Sequence, residues 1–257
     1  MSYIEVKNAS KTFPQEDKIF TAFEHISLNI EKGEFICLLG PSGCGKSTLL
    51  NAMAGFDLVT EGSITIDGEE VKAPSTKYVT IFQNYGLLPW RTVQKNVELG
   101  LEQKKIPKEE RRKIAEKYIE LVGLSNFKKV HPRQLSGGMQ QRVSIARALA
   151  VDPEIVFMDE PFGALDAITR MKLQDDILSI SRREKKTIIF VTHDIEEAVY
   201  LADKIVILTP TPGKLKCVVE VPLKGYRERT SGDFLKIRDH IFELFNMKPD
   251  EVIEYII

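Results

Sequence analysis

The chain has 257 residues, of which 43% are hydrophobic and 28% charged, the composition of a globular protein able to bury a large core. Its 36 basic residues stand against 37 acidic ones, a formal charge of -1, and this excludes a general electrostatic case for nucleic-acid binding. No apolar run reaches the roughly eighteen residues of a membrane span, and Met1-Ser2-Tyr3-Ile4-Glu5 lacks the basic start of a signal peptide, so a cytoplasmic chain is expected.

Residues 3–7, 26–30, 35–39 and 64–66 are short runs rich in Ile, Val, Leu and Phe, separated by turn residues such as Glu31-Lys32-Gly33 and Asp67-Gly68. They predict a largely antiparallel sheet beside the strand at 35–39. That strand runs straight into Gly40-Pro41-Ser42-Gly43-Cys44-Gly45-Lys46-Ser47-Thr48 and then into helix-forming Leu49-Leu50-Asn51-Ala52. A G-x-x-x-x-G-K-[ST] pattern between a buried strand and a helix is a P-loop. Gly40, Gly43 and Gly45 are expected to take positive φ and bring backbone amides onto phosphate oxygens, while the helix start adds its positive dipole end. Lys46 offers a point charge to the β and γ phosphates of a nucleotide, and Ser47 a hydroxyl to a magnesium ion. Cys37 reads as core and Cys44 as loop filler; with Cys217 they have neither metal-ligand spacing nor the numbers for a disulfide framework.

From about 93 to 150 the text becomes helical, with Pro107 and Lys108-Glu109-Glu110 opening a helix that Gly123 ends. Beyond 154 the pattern alternates: apolar runs at 155–158, 187–191 and 204–208 enclose helices near 167–183 and 195–201. Continuous apolar strands between helices predict a parallel sheet covered on both faces, with the ligand at its carboxyl edge. In 210–257 only Phe234, Ile237, Ile241 and Phe245 fall at helical spacing. The basic clusters Arg111-Arg112-Lys113 and Arg182-Arg183 read as solvated helix faces.

Asp159 and Glu160 follow the run 155–158, which puts two carboxylates at a strand end facing the phosphates. Asp159 is expected to hold magnesium and Glu160 to polarise the attacking water; the plainer alternative is a helix-start pair. His193 stands just past the run 187–191 and at the same edge can donate to the γ phosphate; alone, it would pass as a structural histidine. In Leu135-Ser136-Gly137-Gly138-Met139-Gln140-Gln141-Arg142, Ser136 can cap a helix to Leu149 whose glycines expose amides to a second anion, or the motif is only a helix start.

Together these motifs resemble the ATP-binding cassette (ABC) transporter ATPases along nearly the whole chain: the P-loop at 40–47, Gln83 after a strand, the signature at 135–139, Asp159-Glu160, Leu165-Asp166 and His193. The resemblance implies one ABC ATPase domain of α/β class, a P-loop NTPase (RecA-like) core with a mostly parallel sheet and an antiparallel β subdomain over 1–92 and 151–209. A helical subdomain over 93–150 and a C-terminal extension over 210–257 complete it. It also implies ATP sandwiched in a head-to-tail dimer between the P-loop of one subunit and Ser136, Gly137 and Gly138 of the other. Gln83 falls to the magnesium and coupling loop, as both a catalytic and a metal residue, and Asp166 to the loop crossing between the sites. Phe13 matches the adenine-stacking aromatic, with Phe20 as alternative and core packing as the plainer role. Met139 departs from the family's usual glutamine, but the anion-binding glycines are intact.

The stretch Gln83-Asn84-Tyr85-Gly86-Leu87-Leu88-Pro89-Trp90 and the tail Pro222-Leu223, Arg227-Glu228-Arg229-Thr230 resemble importers of nitrate, sulfonates, taurine and bicarbonate. That branch implies transmembrane permease subunits, a substrate-binding protein, a second ATPase subunit and a place at the cytoplasmic face of the membrane, with no nucleic acid. Trp90 would suit a groove for a permease helix, or core packing. The rivals are a non-transport ABC ATPase acting as an assembly or DNA-repair clamp, and a small-molecule kinase, which leaves 135–142 without a purpose.

Overall fold

The computed structural model describes residues 2–15, 18–223, 225 and 227–245; the end of the expected extension, 246–257, lies outside them. Strands β1 (Ile4–Gln15), β2 (Lys18–Ile30), β4 (Glu61–Ile66) and β5 (Glu69–Glu70) form an antiparallel sheet in the order β2-β1-β4-β5. The runs at 3–7 and 26–30 are thus the inner ends of one long hairpin. Its outer part carries polar and exposed residues, which is why apolar content alone did not show it.

A second sheet has the order β10-β9-β3-β8-β7-β6, with β3 (Phe35–Leu39), β6 (Tyr78–Ile81), β7 (Ile155–Asp159), β8 (Thr187–Thr192), β9 (Lys204–Leu208) and β10 (Leu215–Glu220). Five of these strands pair in parallel; β10 closes the edge antiparallel to β9. β3 is central and buried throughout, because its pleat feeds two cores. Ile36 and Leu38 pack with the antiparallel sheet and helix α1 (Lys46–Met53). Phe35, Cys37 and Leu39 pack with the helices of the opposite face.

Those helices are α2 (Val93–Val97), α3 (Leu99–Gln103), α4 (Lys108–Leu121), α5 (Gly137–Ala150), α6 (Ala167–Glu184), α7 (Ile195–Leu201) and α8 (Gly232–Leu244). α4 ends where Gly123 takes φ +69, the left-handed step that glycine makes without a Cβ penalty. Phe234 and Ile241, one face of α8, are fully buried. The segment after 209 is joined to the body: β10 completes the central sheet, and the buried Arg227 donates to the carbonyls of Val199, Tyr200 and Ala202, satisfying the orphan acceptors at the end of α7. Burial pushes the Arg227 guanidinium down to about 10.

Candidate active site

The loop 40–45 links β3 to α1 at the carboxyl edge of the parallel sheet, where the P-loop was expected. Gly43 and Gly45 take φ +79 and +89. Gly40 departs from expectation. It does not adopt positive φ; it is needed for space, since a Cβ there would lie 2.8 Å from Cys44 Sγ and 3.1 Å from Leu208 O. Gly45 combines both constraints, because its Cβ would sit 2.7 Å from Ala22 O. Cys44 is buried, as a filler should be, and burial raises its thiol pKa. Pro41 and Thr48 are half-buried while Ser42 and Ser47 are exposed.

Lys46 is 6% exposed, and its ammonium donates to the Gly40 and Pro41 carbonyls, each at 2.8 Å, which holds a buried cation at the loop's centre. Ser47 Oγ donates to Asp159 Oδ1 at 2.8 Å. Burial pushes the Asp159 carboxyl above the usual range; the Ser47 bond opposes that, the Glu160 charge adds to it and Lys46 subtracts. A hydroxyl and a carboxylate converging at the strand end are the hard oxygen donors that magnesium takes beside phosphate and water.

β7 and β8 are parallel neighbours with Asp159 opposite Val191, so the residues just beyond them meet. Glu160 takes φ +44, an uncommon conformation for a non-glycine residue, fixed by its N–H donating to Val191 O. Its Oε1 lies 3.1 Å from His193 Nδ1. Asp194 accepts from the N–H groups of Glu196 and Glu197 and starts α7. These placements bring Lys46, Ser47, Asp159, Glu160 and His193 to one edge.

The other sequence candidates stand outside this set of side-chain contacts. Ser136 caps α5 by accepting from Met139 N at 3.3 Å; a Cβ on Gly137 would meet Tyr85 Oη, and one on Gly138 the Ala164 carbonyl. Asp166 caps α6 through Thr169 N, and this hydrogen bond lowers its carboxyl pKa. Gln83 is exposed just past β6. Phe13 is half-buried opposite Phe20 on the hairpin, with the Lys11 ammonium 5.0 Å from its ring centre. The same hairpin lays Ala22 against Gly45, which brings its outer half to the P-loop. Trp90 is 71% exposed, so core packing is not its role.

Several supporting residues escaped the sequence. Thr211 Oγ1 donates to Gly43 O at 2.8 Å, and Gly213 N to Ala22 O, so the turn before β10 buttresses the P-loop. Arg147 of α5 donates to the Tyr85 and Gly86 carbonyls, tying the stretch after Gln83 to the helix that starts at Gly137. Such pairs leave no local periodicity to read.

The family model described as ABC transporter matches residues 23–163, more than half of the chain. The chain belongs to the ABC transporter family. As an ABC ATPase it binds and hydrolyses ATP. It is 52% identical over 251 residues to an uncharacterised ABC transporter ATP-binding protein of Methanocaldococcus jannaschii, covering 98% of this chain and 93% of that one. It is 46% identical over 254 residues to the aliphatic sulfonates import ATP-binding protein SsuB of Bacillus subtilis, covering 98% and 97%. Against the bicarbonate transport ATP-binding protein CmpC of Synechococcus elongatus the identity is 46% over 231 residues, 88% of this chain but 35% of CmpC. Among solved structures, the dimeric post-hydrolysis state of the ABC cassette MJ0796 bound to ADP and Pi superposes with a TM-score of 0.79 at 36% identity, over 87% of this chain and 100% of that one.

Proposed function

We propose that this ABC ATPase powers an importer of a small anion such as nitrate, an aliphatic sulfonate, taurine or bicarbonate, hydrolysing ATP in a head-to-tail dimer. The observation that carries the chemistry is the single edge on which Lys46, Ser47, Asp159, Glu160 and His193 meet. The likeness to SsuB and CmpC supports the substrate class.

Lys46 neutralises the β and γ phosphates, and the amides of 40–48 cradle them. Ser47, Asp159 and Gln83 would hold magnesium, which would supply charge to spread over the phosphates. Glu160 takes a proton from the attacking water. His193, whose Nδ1 lies 3.1 Å from Glu160 Oε1, donates a hydrogen bond to the γ phosphate. Phe13 stacks on adenine. Ser136, Gly137 and Gly138 of the second subunit close over the γ phosphate, and Asp166 lies in the loop crossing between the two sites. The second subunit is a copy of this chain or a related ATPase.

The chain works peripherally, at the cytoplasmic face, on transmembrane permeases that a substrate-binding protein supplies, a reading that the likeness to import ATP-binding proteins supports; no described helix is long and apolar enough to cross a membrane. Trp90 is offered to a permease helix. The loop that carries it is braced by the buried Asn96, which accepts from Leu88 N and donates to the Leu88, Arg91 and Thr92 carbonyls.

The test is Glu160→Gln. Its kcat should fall by about 10² or more, while light scattering shows an MgATP-dependent shift from monomer to dimer. Wild-type turnover would overturn the role of Glu160, and a persistent ATP-bound monomer would overturn self-contained dimerisation. Copurification with an integral membrane protein, rather than with nucleic acid or a soluble assembly, separates transport from a clamp.

A further inference from the structure

Behind His193 lies a buried carboxylate to which the proposed chemistry assigns no part. Glu197 is 7% exposed, and it lines a small cavity of about 120 Å³ together with Glu160, Arg170, Thr192 and His193. Its two oxygens are engaged on different sides. Oε2 accepts from Thr192 Oγ1 at 2.8 Å, and the same hydroxyl accepts from Asp194 N at 3.0 Å. The hydroxyl therefore braces the backbone on either side of His193, and Glu197 orients it by demanding its proton. Oε1 accepts from Gln174 Nε2 of α6 at 3.1 Å.

The support extends outward along two routes. Gln174 Oε1 accepts from Arg229 Nη2 at 2.5 Å, and the Arg229 guanidinium lies 3.7 Å from the centre of the Tyr200 ring, so the segment after β10 is tied to this carboxylate. Arg170 stands 3.9 Å from Glu197 Oε1 and donates to Leu165 O at 3.2 Å, which ties in the Leu165-Asp166 loop. Burying a carboxylate costs free energy unless it is paired, and a core here would be served as well by an apolar residue. What Glu197 supplies is a defined orientation for the turn that bears His193.

We propose that Glu197 is a positioning residue for His193, coupling the placement of its imidazole to the Leu165-Asp166 loop through Arg170 and to the C-terminal segment through Gln174 and Arg229. This rests on the assignment of His193 to the γ phosphate.

The experiment compares ATPase kinetics and nucleotide affinity of the full chain with Thr192→Val, Glu197→Ala, Glu197→Gln, Arg229→Ala and His193→Ala. Misplacing a reacting group by about 1 Å costs up to 10² in rate. Glu197→Ala and Thr192→Val should therefore each lower kcat about tenfold with ATP affinity unchanged. Glu197→Gln, which keeps an acceptor for Thr192, should recover most of that loss, and Arg229→Ala should lower kcat about twofold to threefold. In a His193→Ala background, Glu197→Ala and Thr192→Val should have no further effect on kcat.

Additive losses in that background, or a wild-type kcat in Thr192→Val, would overturn the proposal. Thr192→Val and Glu197→Gln keep the test open if Glu197→Ala does not fold. A His193→Ala protein with wild-type turnover would instead overturn the histidine's own role, so the two failures are distinguishable.

Discussion

The start of α1 and the start of α5 are both glycine-rich helix N-termini, yet the chain surrounds them differently. Around α1 it provides a buried lysine, the Ser47–Asp159 bond, the Thr211 hydroxyl on Gly43 and the close backbone of Ala22 and Gly213. At α5, Ser136 is exposed and caps its own helix, and the nearest groups to Gly137 and Gly138 are Tyr85 and the Ala164–Leu165 turn. Among the described residues, no hydrogen bond joins 136–138 to 40–48. A cation and anchored oxygens preorganise the first end for triphosphate. At the second, Ser136 is exposed and caps only its own helix, which suits a surface completed by another subunit.

Removing the charge from the first end should have the largest effect. Lys46→Ala should weaken ATP binding by about a hundredfold, on the order of 2–3 kcal/mol for a charge-assisted contact, as read by titration calorimetry; unchanged affinity would erase the distinction between the two ends. A lesion in α2 should instead cost fold stability. Asn96→Ala takes their side-chain partner from Leu88 N and the Arg91 carbonyl and should lower unfolding free energy by about 2 kcal/mol, with a shift in Trp90 fluorescence and unchanged ATP affinity.

At the second end, Ser136→Ala removes a helix cap, worth about 1 kcal/mol. It should reduce kcat severalfold without altering the affinity of the isolated subunit for ATP. A loss of monomer affinity would show that both ends serve one nucleotide within one chain.

The smallest effect concerns pH. Burial raises the Asp159 pKa, so the folded state binds its proton more tightly than the unfolded state. Whatever stability this contributes is present below the ordinary carboxylate range and is lost as pH rises through the raised value, leaving an ionised group that costs stability at neutral pH. Asp159→Asn should accordingly raise Tm at pH 7, and raise it less at pH 4, while abolishing turnover; the opposite pH trend would show that the Ser47 bond outweighs burial.

The site was legible where its chemistry is consecutive in the chain. The P-loop, Asp159-Glu160 and the cap at Ser136 each occupy a few adjacent residues whose backbone geometry is local, and the runs at 155–158, 187–191 and 204–208 carry their parallel-sheet burial in plain apolar text. Gly40 was misjudged because its constraint comes from Leu208 and the Cys44 side chain, which positive-φ reasoning does not consider. The outer hairpin and β10 were not foreseen because alternation such as Leu215 to Glu220, half-buried then exposed, carries little hydrophobic signal on an edge strand.

By itself the sequence determined the reaction class and the strand ends that carry the candidate residues, because glycine spacing, one lysine and paired carboxylates after buried strands dictate what a strand end can bind. Tertiary structure alone decided what holds those residues in place. Thr211 reaches Gly43, Arg147 reaches Tyr85, and Arg229 reaches Gln174 across separations of 168, 62 and 55 residues. Contacts of that range depend on how sheets and helices pack, and no local pattern of residue types encodes them.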